Sequence, residues 1–418
     1  MQKRLIHIAF ILLVIFQSCE VSKVDTQVKS NSKLVPGDDA LISDYLGLIK
    51  NKRLAIVANN ASRLSNGTLL TDTLNKIDGI NIKAIFVPEH GFNIDKSAGE
   101  TISDSSYGSI PVYSLYGTNK KPTAEMLQNI DLIIFDLQDI GTRFYTYIST
   151  LYYLMESCAE HKIPLIVLDR PDPIGGLKVE GPVLDPKFES FIGIAPIPVI
   201  HGMTIGELAN MFAGEKWAKI DKSLLKVIKM KNWRREQNFN ELNLTWMNPS
   251  PNMPDAETAL IYPATAFLEG TNISDGRGTY KPFKQIGAPF LNPEDIINEL
   301  DSIQHPGVSV KPVDFTPLSI DGKADNPKFE NQKCYGIRLE VTDPEVFMPV
   351  EFGIKLLYVL QKLYPEKLKF DSVYFDNLAG QSSVREMLLR GKTPYEIIRS
   401  WQYKLNEFIK IRTQYLLY

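Results

Sequence analysis

The sequence predicts an α/β protein: a doubly wound, mostly parallel sheet domain followed by a smaller α+β domain. Three observations point there. Short, nearly pure apolar runs recur at 53–58, 82–87, 131–135 and 164–168, with helical patterns between them. Strands that read as continuous apolar runs are covered on both faces, which is the habit of parallel sheets sandwiched by helices. Beyond Asn292 the strict alternation is lost and helices and strands mix.

At the amino end, Lys3 and Arg4 precede an apolar run over 5–16 that only His7 interrupts, and Phe16-Gln17-Ser18-Cys19 follows. Twelve residues span only ~18 Å as a helix, short of the ~30 Å hydrocarbon core. Segment 1–18 therefore reads as a signal peptide. Ser18-Cys19 resembles a lipoprotein processing site with Cys19 as the lipidated first residue; ordinary cleavage near Ser18 is the alternative. Residues 19–39, with many Ser, Lys, Asp and Asn and little periodicity, read as a flexible tether. The expected location is the cell envelope, facing the periplasm or the cell surface, with membrane contact through the lipid anchor alone.

Loss of Lys3 and Arg4 moves the formal net charge from −3 to −5. A mildly acidic, unpatterned balance argues against nucleic acid or anionic lipid as partner. Besides Cys19 there are only Cys158 and Cys334, with no zinc-like Cys/His spacing. Cys158 sits in an apolar helical run, where packing is its natural role. Roughly 380 residues beyond the tether exceed one ordinary core, so two domains are expected.

The first, over 40–265, takes its elements in order. A strand at 53–58 leads to a helix over 69–77 and a strand at 82–87. A strand-like 111–115 and a helix capped by Thr123 and running to Ile130 come next. The strand at 131–135 is followed by a helix over 144–160, and the strand at 164–168 by His201-Gly202-Met203-Thr204. Ile205, Leu208, Ala209 and Phe212 then lie on one helix face. A last strand is read at 224–230. The stretch 246–289 is rich in Pro, Asn and Gly, with one helical piece over 256–267, and a loop of that length in a compact protein is usually functional. The second domain, over 266–418, mixes helices and strands in the segments 294–303, 335–341, 352–363 and from 393 onward.

Polar residues gather where the strands end, and in open α/β sheets ligands bind there. The strand at 82–87 delivers Pro88-Glu89-His90-Gly91. The next long strand delivers Asp136, Asp139 and Arg143, and the one after it Asp169, Arg170 and Asp172; Glu180 follows among Gly175, Gly176, Gly181 and Pro182. Asp136 or Asp169 could instead cap a helix, Arg170 could pair with Asp169, and Asp172 between prolines suits a turn. Glu89, between Pro88 and His90, gains nothing as a cap. Its neighbour His90, and His201 before a helix start, are further candidates. In the second half, 269–279 is the densest polar, glycine-rich run, with Glu269, Asn272 and Arg277. Trp246, Tyr262, Phe267 and Tyr280 surround it, and aromatic faces suit sugar rings as well as a core. Phosphate-loop, GxGxxG and GxSxG patterns are missing after the strands, so no nucleotide cofactor and no serine esterase is expected. His90, Asp136 and Asp139 lack a metal-binding spacing, so no metal is expected either. Carboxylate chemistry remains, the equipment of glycoside hydrolases.

Taken together, Pro88-Glu-His-Gly91, Phe135-Asp-Leu-Gln-Asp-Ile-Gly-Thr-Arg-Phe-Tyr-Thr-Tyr147, Leu168-Asp-Arg-Pro171, Val179-Glu-Gly-Pro182, His201-Gly-Met-Thr204 and Glu269-Gly-Thr-Asn272 resemble the exo-acting β-N-acetylmuramidases of bacteria. The resemblance runs from about Leu41 to the carboxyl end. It implies a Rossmann-like first domain, a smaller second domain closing a cleft, and release of non-reducing terminal N-acetylmuramic acid from peptidoglycan fragments. It further implies Glu89 as general acid, with Glu180 or Asp136 as base or stabiliser, unless the sugar's own acetamido group serves as nucleophile. His90, Asp139, Arg143, Asp169, Arg170, His201, Glu269, Asn272 and Arg277 are the expected substrate contacts. Arg143 or Arg277 would meet the lactyl carboxylate. Two rivals are a non-catalytic lipoprotein that binds cell-wall sugar and a metal-dependent hydrolase or amidase.

Overall fold

The computed structural model describes residues 33–100 and 103–418, so the expected signal segment and Cys19 lie outside the described residues. The first half runs α1 (Gly37–Asp44), β1 (Arg53–Val57), α2 (Leu70–Asn75), β2 (Asn81–Val87), β3 (Ser105–Tyr107) and β4 (Ile110–Ser114). It continues through β5 (Leu132–Phe135), α3 (Tyr147–His161), β6 (Leu165–Leu168), α4 (Ile205–Gly214) and β7 (Leu225–Ile228). The strands lie in the order β3-β4-β2-β1-β5-β6-β7. All neighbours pair in parallel except β3 against β4. This is a Rossmann-like order, and its direction of growth reverses between β1 and β5. A crevice opens outside the strand ends at such a reversal.

The strand sequences show why both faces are covered. Side chains alternate across a strand with period two. Ala55, Val57, Phe86, Ile133, Phe135, Leu165 and Val167 join α3 and α4 in one core. Leu54, Ile56, Ile85, Val87, Ile134, Ile166 and Leu168 join Ala40 and Leu41 of α1 and Leu70 and Leu74 of α2 in another. α1 is thus half of the second cover. Residues 33–39, expected as the end of a tether, are accordingly packed: Leu34 and Asp38 are buried, and Val35 bridges Lys231. The polar composition misled because Asp38 is polar toward a buried partner, Arg170, and not toward water.

The second half contains α5 (Ala256–Thr265), β8 (Gln285–Ala288), α6 (Pro293–Ser302), β9 (Val308–Phe315) and β10 (Cys334–Val341). α7 (Pro349–Leu363), α8 (Ser372–Ala379), α9 (Ser383–Leu389) and α10 (Pro394–Arg412) complete it. The strands form an antiparallel sheet in the order β8-β10-β9. β9 escaped the sequence reading because it is an edge strand, half-exposed, with Lys311, Pro312 and Asp314 along it. The helix expected after Thr123 is a run of turns that ends at Asn129 in the left-handed region, φ 61°. α5 packs on α7, and Tyr262 from α5 meets Phe144 from the first half edge to face at 5.3 Å. One apolar core runs through both halves, from Val57 and Phe135 to Phe267, Ile337, Leu357 and Trp401.

Candidate active site

A cleft of about 530 Å³ opens where the loops after β2 and β5 face the second half. Glu89 and His90 come from the first loop, and Phe144, Tyr145 and Thr146 from the second. Tyr262, Glu269, Asp275, Arg277, Lys323, Lys328 and Tyr374 close it from the other side. The Pro88-Glu-His-Gly91 turn is locally strained: His90 and Gly91 both have positive φ, 74° and 73°. A non-glycine residue held there costs of order 1–3 kcal/mol and persists only where its surroundings over-determine it. Here the surroundings are visible. His90 Nδ1 lies 2.7 Å from the Lys96 carbonyl, so Nδ1 carries the proton and donates. Burial pushes the His90 pKa down, against the pull of Glu89, and the ring is neutral.

Glu89 is 8% exposed. Its Oε2 accepts from Thr146 Oγ at 2.8 Å and its Oε1 from the Gly99 N–H at 3.2 Å. Tyr116 lines the cleft beside Glu89, and burial together with that carboxylate raises the phenol's pKa. The carboxyl group is thus held by donors from two segments while its residue faces the cleft.

Across the cleft stands a charged group built on the 269–277 run. Arg277 donates Nη1 to Asp275 at 2.5 Å and pairs Nη2 with Glu269 at 3.2 Å. Its guanidinium lies 4.6 Å from the centre of the Phe283 ring. Burial works to lower the Arg277 pKa, but Glu269 and Asp275 outweigh it and raise it. Glu269 Oε2 also accepts from Tyr374 at 3.1 Å, while Oε1 is without a partner among the described residues. Burial raises the Glu269 pKa, with Arg277 opposing. Lys328 spends its ammonium on the carbonyls of Leu268, Glu269 and Ile273 and so braces this run from behind. Lys323 differs: its ammonium sits 5.7 Å from the Tyr280 ring and has no carboxylate within reach among the described residues.

Of the residues expected at the site, Glu89, His90, Glu269 and Arg277 line the cleft. The others do not, and each has a structural occupation. Asp136 is buried and holds Arg170 through two bonds, at 2.6 and 2.9 Å, while Arg170 also donates to Asp38 at 2.8 Å. Arg170 therefore ties α1 to the sheet and does not pair with Asp169. Asp169 accepts from Thr204 Oγ, the Gly206 N–H and the Tyr418 hydroxyl, which caps α4 from the neighbouring strand. Glu180 accepts from the N–H groups of Val350 and Glu351, the first turn of α7. Asp139 accepts from Gly141 N–H at 2.8 Å, and burial pushes its pKa up to about 7. His201 is fully buried, accepts from Met203 N–H, and is pushed down to about 3 by burial and Arg412. Asn272 clamps the backbone of Lys367 and Lys369.

Arg143 is the largest departure. Among the described residues it has no carboxylate partner: Nη1 donates to the Pro182 and Ile197 carbonyls and Nη2 to the Leu378 carbonyl. Burial alone pushes its pKa down to about 9. A buried arginine that satisfies three carbonyls positions loops and cannot meet a ligand. Among the described residues no group of three or more His, Cys, Asp and Glu is arranged to hold a metal ion.

Thr146, Tyr116, Tyr374 and Lys323 were not singled out from the sequence. Thr146 lies inside the 135–147 motif and was within reach of that signal. Tyr116, Lys323 and Tyr374 sit in segments without any motif, and only folding brings them to the cleft.

Residues 54–257 match the amino-terminal family of "Exo-beta-N-acetylmuramidase NamZ" and residues 260–418 its carboxy-terminal family. The peptidoglycan β-N-acetylmuramidase NamZ of Bacillus subtilis (strain 168) is 43% identical over 396 residues, covering 94% of this chain and 93% of that one. Two crystal structures of DUF1343 family proteins from Bacteroides fragilis share the fold. One has TM-score 0.83 at 31% identity, covering 92% of this chain and 99% of that one. The other has TM-score 0.75 at 34% identity, covering 93% and 99%. This chain belongs to the NamZ family of exo-β-N-acetylmuramidases.

Proposed function

We propose that this chain is a glycoside hydrolase that removes non-reducing terminal N-acetylmuramic acid from peptidoglycan fragments, with Glu89 as its general acid. The observation that carries the assignment is the setting of Glu89 in the cleft, oriented by Thr146 and Gly99. Two carboxylates serve a glycosidase, and of the further acids lining the cleft (Glu269, Asp275 and Asp325) Glu269 is the one we take as the second. It is bracketed by Arg277 and Tyr374, so we assign it to holding the sugar and steadying positive charge at the ring. The substrate's acetamido group remains the candidate nucleophile. Glu180 and Asp136 take no part in this scheme, since both are committed to N–H groups or to Arg170.

The test is Glu89→Gln. It should lower turnover of a chromogenic muramic acid glycoside by ~10²–10⁴-fold, the usual worth of a positioned acid, with an unchanged melting temperature. Near-normal turnover would remove Glu89 from the role.

We further propose that the protein is exported and held at the membrane by lipid on Cys19. Lys3, Arg4, the apolar run over 5–16 and Ser18-Cys19 support this. Stable anchoring takes two or more acyl chains at ~0.8 kcal/mol per buried CH₂. Cys19→Ala should shift the protein from the membrane fraction to the soluble fraction; a wild type that is already soluble would contradict lipidation.

A further inference from the structure

A second cavity of about 620 Å³ adjoins the cleft. Asn60, Asn93, Asp95, Lys96, Trp246 and Asn248 are among its walls, and Lys323 lines both spaces. Two loops make the junction. Residues 93–96 line the second cavity while Ser97, Ala98 and Gly99 of the same loop line the cleft, with the Gly99 N–H on Glu89. The loop at 320–324 meets it from the second half. Gly322 permits that meeting: its φ is +65° and a side chain there would fall 2.7 Å from the Asp95 carbonyl oxygen. Asn252 fixes the same loop through the Lys323 carbonyl at 2.7 Å.

The lining has a definite chemistry. Asp95 and Asp321 balance Lys96 and Lys323, so the walls offer no net field for a polyanion. The carboxamides of Asn93 and Asn248 have no hydrogen-bond partner among the described residues, and both residues are exposed. Trp246 is half-buried, its indole N–H given to the Met253 carbonyl at 2.9 Å and its ring against Phe239. A fixed aromatic ring beside free carboxamides suits a neutral ligand with apolar ring faces and polar edges.

We propose that this cavity is a distal subsite on the leaving-group side of the cleft, which takes further N-acetylhexosamine units of the glycan whose terminal sugar is being removed. The inference rests on the activity proposed above and adds where the rest of the chain lies. A stem peptide is the weaker occupant. It would be attached through the lactyl carboxylate, and amidation would remove the anionic group to which Lys323, without a carboxylate partner among the described residues, offers a charge at the junction.

The experiment compares wild type with the double variant Asn93→Ala/Asn248→Ala, neither residue being part of the cleft. Three substrates are used: a chromogenic muramic acid glycoside, a peptide-free glycan of four or more sugars ending in N-acetylmuramic acid, and the same glycan bearing stem peptides. The double variant should keep wild-type kcat/KM on the chromogenic glycoside and show KM about tenfold higher on the peptide-free glycan, as expected for two lost hydrogen bonds. An unchanged KM on that glycan, an equal loss on the chromogenic glycoside, or a loss confined to the peptide-bearing glycan would each overturn the subsite. Failure of wild type to cleave any of the three would refute the activity itself and the subsite with it.

Discussion

Glu89 owes its position to a three-residue accident of backbone. β2 is buried to its last residue, Pro88 cannot continue the ladder, and the strained His90-Gly91 pair turns the chain sharply back. The glutamate is left between donors and faces the cleft. The same scale separates the basic residues. Arg277 is shared by Asp275 and Glu269, Lys328 is spent on three carbonyls, and Arg143 is out of the cleft. Lys323 is the cation left over among those lining the cleft, and the lactyl group of N-acetylmuramic acid carries a carboxylate that N-acetylglucosamine lacks. Lys323→Ala should therefore weaken muramic acid substrates by ~1.5–3 kcal/mol, the usual worth of hydrogen bonds to charged groups. The slow hydrolysis of a glucosamine analogue should change little. Equal losses on both sugars would show that Lys323 does not read the lactyl group.

At the scale of elements, carboxylates from the first half cap helices at a distance. Asp169 supplies α4 and Glu180 supplies α7. For Glu180 the α7 amides favour the charged form, but burial, helped by nearby Glu351, wins and pushes the pKa up to about 8 from 4.5. A carboxyl group whose folded pKa lies above its unfolded value keeps a proton that the unfolded chain releases. Its contribution to stability is therefore greatest below about pH 4.5, falls as pH rises, and levels off above about pH 8. Glu180→Gln keeps an oxygen for Val350 and Glu351 and removes the titration. In urea unfolding the variant should match wild type near pH 5 and exceed it near pH 8 by about 1–3 kcal/mol, given ~1.36 kcal/mol per pKa unit. Parallel pH profiles would contradict this. Asp139, raised by burial to about 7, acts in the same direction.

At the scale of the molecule, the two family halves share one core and several polar staples. Arg143 joins Pro182 and Ile197 to Leu378, and Arg412 of α10 reaches the carbonyls of Gly176 and Gly202. Tyr418, the last residue, donates to Asp169 beneath the sheet's carboxyl edge. An apolar core continuous from Val57 to Trp401 leaves no plane along which the halves can part cheaply. Calorimetry of the protein should show a single unfolding transition. Arg143→Ala should lower its midpoint by stripping the Pro182 and Leu378 carbonyls of their donor, while the Ile197 carbonyl keeps the Leu184 N–H, at about 1–3 kcal/mol for each group left unsatisfied. Activity on the two sugars should fall in equal proportion. Two resolved transitions, or a sugar-selective loss in Arg143→Ala, would refute this picture.

The doubly wound sheet, the helices around it and the turn that carries Glu89 and His90 were legible in the order of residues alone. Continuous apolar strands have no other stable setting, and Pro-Glu-His-Gly at a strand end is a local event. Glu269 and Arg277 stood out because they share one glycine-rich run, but Arg277 read there as free for a substrate carboxylate, and the structure commits it to Asp275 and Glu269. Which of the remaining acids face the ligand was decided only by tertiary structure. Asp136 and Glu180 sit in motifs as conspicuous as Glu89's, but Arg170 claims the first and the first turn of α7, 170 residues along the chain, claims the second. Lys323 and Tyr374 could not be found at all from local pattern, because their neighbours in the cleft are remote in the chain. A polar side chain goes either to a ligand or to whatever buried donor or acceptor comes within about 3 Å of it. That partner is chosen by the packing of elements distant in sequence.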